Sequence, residues 1–361
     1  MGRIFVSGAT GFLGRHLVDQ LLEDGHEISV LVRKDPAPPL PPKVTICHGD
    51  ITNKARVRAA CEGCVKAFHC AGFVSRDHAD AEELRRVHLT GTEVALSAMR
   101  EAGVERVVVV STSGTVAVGT HPGDIRGEEA ETPLQLIQRW PYYHAKYLAE
   151  EVALKHNSPS SFEVICVLPT LLLGPGDLNE SSTGDVRKFL QQQIPFRPAG
   201  GLSFVDVRDA AAALRFAMDK GRPGHRYLVS CTNMSLSDFF FTIAKVSGIR
   251  APRLAMPRNP VAVAGATGAL LNTLGFPVNR IDAEMAQVYW YVDPTRAKQE
   301  LGWEPQDPVE TIRGTVEDLW TRGVVPRRSV DNPPQRSWPC CCCARRGATE
   351  RSLNSAGRST S

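Results

Sequence analysis

The sequence predicts an α/β protein: a doubly wound parallel sheet carrying a smaller, mainly helical lobe. Short apolar, β-branched runs alternate with amphipathic runs over much of the chain, the pattern of parallel strands joined by crossover helices. The first apolar run leads into Gly8, Gly11 and Gly14, spaced G-x-x-G-x-x-G, and then into an amphipathic stretch. Glycine permits the tight turn and a close backbone approach. The start of a helix offers free N–H groups and a positive dipole end to a pyrophosphate. A chain of 361 residues, 42% of them hydrophobic, is long enough to bury a core of this size.

In order, residues 4–6 read as the first strand and 12–23 as the first helix. Residues 27–33 form a second strand ending at Arg33 and Lys34, before a proline-rich loop over 35–42. Residues 44–47 are a third strand closing on Asp50 and Ile51, 54–61 a helix, and 65–70 a fourth strand ending in Ala71-Gly72. A single long helix is expected over 81–103, a strongly β-branched strand over 106–110, a helix over 142–156 and a strand over 162–168. In such sheets ligands bind at the carboxyl ends of the strands. Beyond Leu173 the alternation loosens. Residues 174–177 are a loop, 204–219 return to a strand and a helix, 226–229 is a strand, and the pattern from about Ser235 is mainly helical. This assigns residues 1–173 plus about 201–230 to the sheet domain and about 174–200 and 231–325 to a covering lobe. Residues 326–361, rich in Arg, Ser and Pro without periodicity, read as a disordered tail.

A net charge of +3 does not argue for nucleic acid or an anionic membrane as a partner. The N-terminus is already the first strand, so no signal peptide is expected and a cytoplasmic location follows. Residues 259–279 carry no charge and are long enough to span a bilayer. Their Ala, Gly and Val content, with Pro260, Asn272, Pro277 and Asn279, favours a buried or lid helix instead. Six of the ten cysteines are scattered through the body and read as reduced thiols. Cys61 and Cys64 have C-x-x-C spacing but no second pair at zinc-site spacing, so no metal is expected. The run Cys340–Cys343 beside Arg345 and Arg346 suits palmitoylation and equally suits a tail without a role; membrane association is expected through such lipidation alone.

Three pieces carry chemistry. Tyr142 and Lys146 are four residues apart on a predicted helix and share a face. A nearby ammonium favours the phenolate, so the pair is expected to act as a general acid with a lowered phenol pKa. Ser113 follows strand 106–110, where a hydroxyl would hydrogen-bond a substrate oxygen; a backbone-capping turn is the alternative, and Ser111 competes for the role. Asp50 and Ile51 follow the third strand, where a carboxylate would accept from an adenine amine and Ile51 would pack on the ring; an acid beside a helix N-terminus is the other reading.

The ordered set resembles the extended short-chain dehydrogenase/reductase family, within the NAD-dependent epimerase/dehydratase superfamily and its Rossmann-type fold. The matching residues are Gly8 to Gly14, Asp50-Ile51, His69-Cys70-Ala71-Gly72, Gly91-Thr92, Ser113, Tyr142 with Lys146, Gly174-Pro175-Gly176, Phe204-Val205-Asp206-Val207 and Leu301-Gly302-Trp303. Together they cover about residues 2–323. The resemblance implies that Ser113 orients a carbonyl, Tyr142 is the acid/base, and Lys146 tunes Tyr142 and holds the nicotinamide ribose. Phe12 and Leu13 would lie along the pyrophosphate, and Cys70, Ala71 and Gly72 along the adenosine and ribose side. Pro169 completes the expected cofactor-binding set. The family usually has Asn where His88 stands. Leu168-Pro169-Thr170-Leu171-Leu172-Leu173-Gly174-Pro175 looks like dihydroflavonol 4-reductases and their bacterial relatives, and its leucines suit a less polar substrate than a sugar nucleotide.

Arg33 at the end of the second strand, with no acidic residue before it, favours the 2′-phosphate of NADP over NAD. The expected function is an NADP-preferring reductase of a small, fairly apolar carbonyl substrate. The alternatives are a nucleotide-sugar epimerase or dehydratase that recycles NAD, and a non-catalytic dinucleotide-binding regulator. A homodimer through helices 81–103 and 142–156 is implied by the resemblance.

Overall fold

Seven of the apolar runs pair into one parallel sheet. A computed structural model describes residues 2–35, 38–256 and 280–327. The strands are β1 (Arg3–Ser7), β2 (Glu27–Val32), β3 (Val44–His48), β4 (Cys64–His69), β5 (Arg106–Val110), β6 (Glu163–Pro169), β7 (Leu171–Leu173), β8 (Gly201–Asp206), β9 (Arg226–Val229) and β10 (Thr232–Ser235). The large sheet runs β3-β2-β1-β4-β5-β6-β9. The chain winds outward from β1 to β3, then returns to place β4 on the other side of β1. That reversal opens a crevice beyond the carboxyl ends of β1 and β4, where sheets of this kind bind ligands.

Alternation along each strand sorts the two faces. Ile4, Val6, Val108, Ile165 and Val167 pack on one side beneath the helices α1 (Phe12–Glu23) and α8 (Val207–Lys220). The alanines of α8 are small enough to let it lie close against α1. Phe5, Ala67, Val107, Val109, Val164 and Cys166 face the other way. They are covered by α2 (Lys54–Ala60), α4 (Gly91–Glu101) and α6 (Pro141–His156). Trp303, fully buried at the edge of the first core, anchors the late chain by donating its Nε1–H to the Asp209 carbonyl at 2.8 Å.

The covering region holds a three-stranded sheet that the sequence reading did not anticipate, ordered β10-β8-β7. β7 is three residues long and β10 is polar, so neither of these two carries a period-2 apolar signal. Phe204, Phe189, Phe239, Phe240, Ile312 and Val316 form its core, drawn from β8 and from α7 (Gly184–Leu190), α9 (Leu236–Ser247) and α11 (Pro308–Thr321). Among the described residues the remaining α-helices are α3 (Ala81–Arg85), α5 (Leu134–Ile137) and α10 (Arg280–Met285).

The single helix expected over 81–103 is instead α3 and α4 joined by one π-type turn, Arg86–Thr90. Such turns insert a residue and re-aim a side chain; here it is His88, buried against Gly72. The chain divides into two units, Met1–Val325 and Pro326–Ser361, the second contributing only Pro326 and Arg327 to the described residues. The expected tail beyond Arg327, its Cys340–Cys343 run and the lid helix over 259–279 lie outside the described residues. Among the described residues no helix is long and apolar enough to cross a membrane.

Candidate active site

The glycine turn is built by backbone contact. Gly8 has φ +73°, and a Cβ there would sit 2.5 Å from the Cys70 carbonyl. A Cβ on Gly14 would sit 2.1 Å from the Gly8 oxygen. The ends of β1 and β4 and the first turn of α1 therefore interlock without side chains between them. Gly11 caps α1 with no side-chain hydrogen bond, and no acidic residue stands in the first turn. The leading N–H groups of α1 are left for an anion.

A cavity of about 1040 Å³ opens at this point. Its wall brings together Gly8, Gly11, Phe12, Leu13, Gly14, Cys70, Ala71, Gly72, Ser113, Tyr142, Lys146 and Pro169. Three residues expected in the same set, Arg33, Asp50 and Ile51, do not line it. Arg33 is exposed after β2. Asp50 Oδ1 accepts from the Thr52 N–H at 3.0 Å, the Thr52 hydroxyl at 2.6 Å and Arg86 Nη1 at 3.3 Å. Ile51 is buried against Gly91.

Helix α6 carries Tyr142 in its first turn and Lys146 one turn later. Lys146 is buried and donates from Nζ to the Val110 carbonyl at 2.6 Å. Burial pulls its pKa down to about 8, opposed chiefly by Glu150. The phenol of Tyr142 departs from the sequence expectation. Burial, reinforced by Tyr143, pushes it above the ordinary tyrosine range, and only a hydrogen bond with Thr112 opposes this. In this geometry the Lys146 ammonium is turned to the Val110 carbonyl rather than drawing the phenol down. Tyr142 is thus held protonated.

The two candidate serines separate. Both line the cavity, but the Ser111 hydroxyl is engaged, donating to Glu150 Oε2 behind the wall. Ser113 begins a short 3₁₀ turn on the wall itself, with the Tyr143 ring packed on Gly114 beside it.

Two buried histidines flank Lys146. His69 pairs through Nδ1 with the Ser7 hydroxyl at 2.9 Å and through Nε2 with the Thr92 hydroxyl at 3.0 Å. His88 lies edge-on to Tyr142 at 5.6 Å and donates from Nε2 to the Phe73 carbonyl at 2.9 Å. Burial, then the Lys146 charge, lowers both to about 3 from an ordinary 6.5. Between those values the unfolded chain binds protons that the folded one refuses. The stabilisation is complete above pH 6.5 and is lost as pH falls toward 3. Tm measured from about pH 7.5 to 4.5 should fall, and His88→Asn should flatten that fall. An identical slope in the variant would contradict a neutral, buried His88.

The far end of the cavity is aromatic. The rings of Trp140, Tyr143 and Trp290 stand 4.9–6.0 Å apart, with Leu202, Phe240 and Met285 on the same wall. The charges there are paired with one another. Arg76 bridges Asp185 at 3.0 Å and Asp282 at 2.9 Å, Lys188 reaches the same two carboxylates at 3.6 and 3.5 Å, and Arg187 pairs with Glu180. None of these residues was singled out from the sequence. Asp185, Arg187 and Lys188 share α7, but Arg76, Asp282 and the aromatic rings come from distant parts of the chain, and only the fold brings them together.

The donor set suits a dinucleotide: a glycine cradle with free helix N–H groups, a buried cation, and two hydroxyls on one wall. Fold and site together define a Rossmann-type, nucleotide-dependent oxidoreductase. The family described as NAD dependent epimerase/dehydratase matches residues 4–230. A Synechocystis sp. protein provisionally named dihydroflavonol 4-reductase is 31% identical over 334 residues, 89% of this chain and 95% of its own. Sterol demethylase protein B of Methylococcus capsulatus is 32% identical over 256 residues, 70% of this chain and 76% of its own. The crystal structure of gox2253 has the same fold, with a TM-score of 0.77 at 24% identity over 90% of this chain and 99% of that one. The chain belongs to the NAD-dependent epimerase/dehydratase family, on its dihydroflavonol 4-reductase-like side.

Proposed function

We propose that this protein is an NADPH-preferring reductase that interconverts a carbonyl and a secondary alcohol on a small, fairly apolar substrate. One observation carries the choice of substrate. Among the described residues, the far end of the cavity is aromatic and its cations Arg76, Arg187 and Lys188 are paired with Asp185, Asp282 and Glu180. With Asp77 also on the wall, these seven residues sum to a net charge of −1: three cations against four carboxylates. A nucleoside diphosphate sugar brings a pyrophosphate that needs unpaired cations or N–H donors, and this end offers it carboxylates. An apolar ring system meets matching walls. The names of the relatives, one a dihydroflavonol 4-reductase and one a sterol demethylase protein, agree in kind.

Bound nicotinamide dinucleotide would supply the hydride. The chain supplies the rest. The N–H groups that open α1 are assigned to the pyrophosphate, and Lys146 to the nicotinamide ribose. Ser113 donates a hydrogen bond to the carbonyl oxygen. Tyr142, protonated because it is buried, gives that oxygen its proton. Arg33, exposed at the end of β2, is assigned to the 2′-phosphate, and Asp50 with Ile51 to the adenine end.

The test is to denature purified protein, identify any dinucleotide released, and titrate fresh protein with NADPH and NADH. An exchangeable site preferring NADPH, with NADPH oxidised in the presence of dihydroquercetin or aryl ketones, is the expected result. Arg33→Ala should weaken NADPH by about 10- to 100-fold and leave NADH unchanged, since one charge-assisted contact contributes roughly 1.5–3 kcal/mol. Tightly retained NAD with turnover of UDP-glucose would replace this reading by an epimerase.

A further inference from the structure

Glu150 lies one turn beyond Lys146 on the face of α6 that carries Tyr142. Its side chain is 2% exposed, yet it meets no substrate surface: it is absent from the cavity wall. A carboxylate is costly to bury unless its oxygens are satisfied. Here they are. Oε2 accepts from the Ser111 hydroxyl and, at 3.0 Å, from the Thr115 hydroxyl; Oε1 accepts from Arg226 Nη1 at 3.3 Å. Ser111 and Thr115 flank Ser113 on the loop that follows β5. Arg226 opens β9 and is itself held by the Glu128 carbonyl. One buried carboxylate thus joins the Ser113 loop, the Tyr142–Lys146 helix and the edge strand of the sheet.

We propose that Glu150 is the positioning residue of this site: it clamps the Ser113 loop to the Tyr142–Lys146 helix and serves Lys146 as a buried counter-charge. This rests on the reading of Tyr142 and Lys146 given above. Lys146 faces Glu150 from its own helix, Cys166 from β6, Cys70 from the end of β4, and His69 and His88, which are neutral. Both thiols are pushed well up by burial and stay uncharged. Burial pushes the Glu150 carboxyl up, opposed by the Ser111 hydroxyl, the Arg226 charge and the Thr115 hydroxyl; held by these three donors, Glu150 is the counter-charge that favours the Lys146 ammonium.

The test reads Lys146 directly. Purified protein is labelled with acetic anhydride across a pH series, and the peptide bearing Lys146 is quantified by mass spectrometry. No cofactor or substrate is needed, so a failure here is separate from a failure of the reductase reading, which Tyr142→Phe turnover decides. Wild type should titrate near 8. Glu150→Gln, which keeps shape and one acceptor, should move that midpoint down by about one pH unit or more, because removing a near opposite charge shifts a pKa by about 1–3 units. Glu150→Asp, which keeps the charge, should restore most of it. A purely structural role would lower Tm in the Gln variant without moving the midpoint, and a Glu150→Gln midpoint equal to wild type overturns the proposal. Ser111→Ala with Thr115→Val removes both hydroxyls while Glu150 stays. With the charge in place its Lys146 midpoint should stay near the wild-type value, while NADPH oxidation with dihydroquercetin, measured beside an active wild type, should slow about tenfold. Wild-type turnover in that variant overturns the clamp even if Glu150→Gln does not fold.

Discussion

Replacing Tyr142 by Phe should lower turnover by about 10²–10⁴-fold while the dinucleotide Kd stays within about twofold, the range expected when one positioned general acid is lost. The substitution removes the hydroxyl and, with it, the hydrogen bond with Thr112. The ring keeps its edge contacts with His88 at 5.6 Å and Tyr143 at 5.1 Å, and α6 keeps its packing. Lys146 keeps its bond to the Val110 carbonyl. Burial raises the Tyr142 phenol, so in wild type the donor is protonated throughout the neutral range. On the proposed role, the variant therefore loses the proton source and not a charge. Stopped-flow NADPH oxidation with a fluorescence binding titration separates the two effects. Retained turnover would assign the proton to another group, and a collapse in binding would make Tyr142 a structural residue.

Gly14→Ala should weaken dinucleotide binding by at least about 100-fold and destabilise the fold by about 1–3 kcal/mol, the usual cost of an overpacked contact. The new methyl group would stand 2.1 Å from the Gly8 oxygen and 2.9 Å from the Ala9 Cα, both backbone atoms that no rotamer change can clear. The first turn of α1 must move away from β1, carrying with it the N–H groups proposed to hold the pyrophosphate. Gly127→Ala is the control, since a Cβ there meets nothing within 4 Å. Isothermal titration with NADPH and thermal unfolding of both variants decide the matter. Equal affinity in Gly14→Ala and wild type would remove the glycine turn from the binding site.

The sequence by itself determined the elements whose signals are local. The first helix spans Phe12–Glu23 as read, because glycine spacing and an amphipathic period both lie within one short stretch. The strands Arg106–Val110 and Arg226–Val229 likewise match, their β-branched or apolar runs being bounded by turns. Tyr142 and Lys146 were readable because a helix places i and i+4 on one face, and continuing that face one more turn would have reached Glu150. Tertiary structure alone decided the rest. The π-type turn at His88 answers to Gly72 on another element, and β7 and β10 have strand character only because β8 lies between them. The Arg76–Asp185–Lys188–Asp282 cluster joins residues from three distant parts of the chain. The acidity of Tyr142 was read in the wrong direction for the same reason. A neighbouring charge is visible in the sequence, but the desolvation that outweighs it comes from everything packed around the ring, and that exists only in the folded chain.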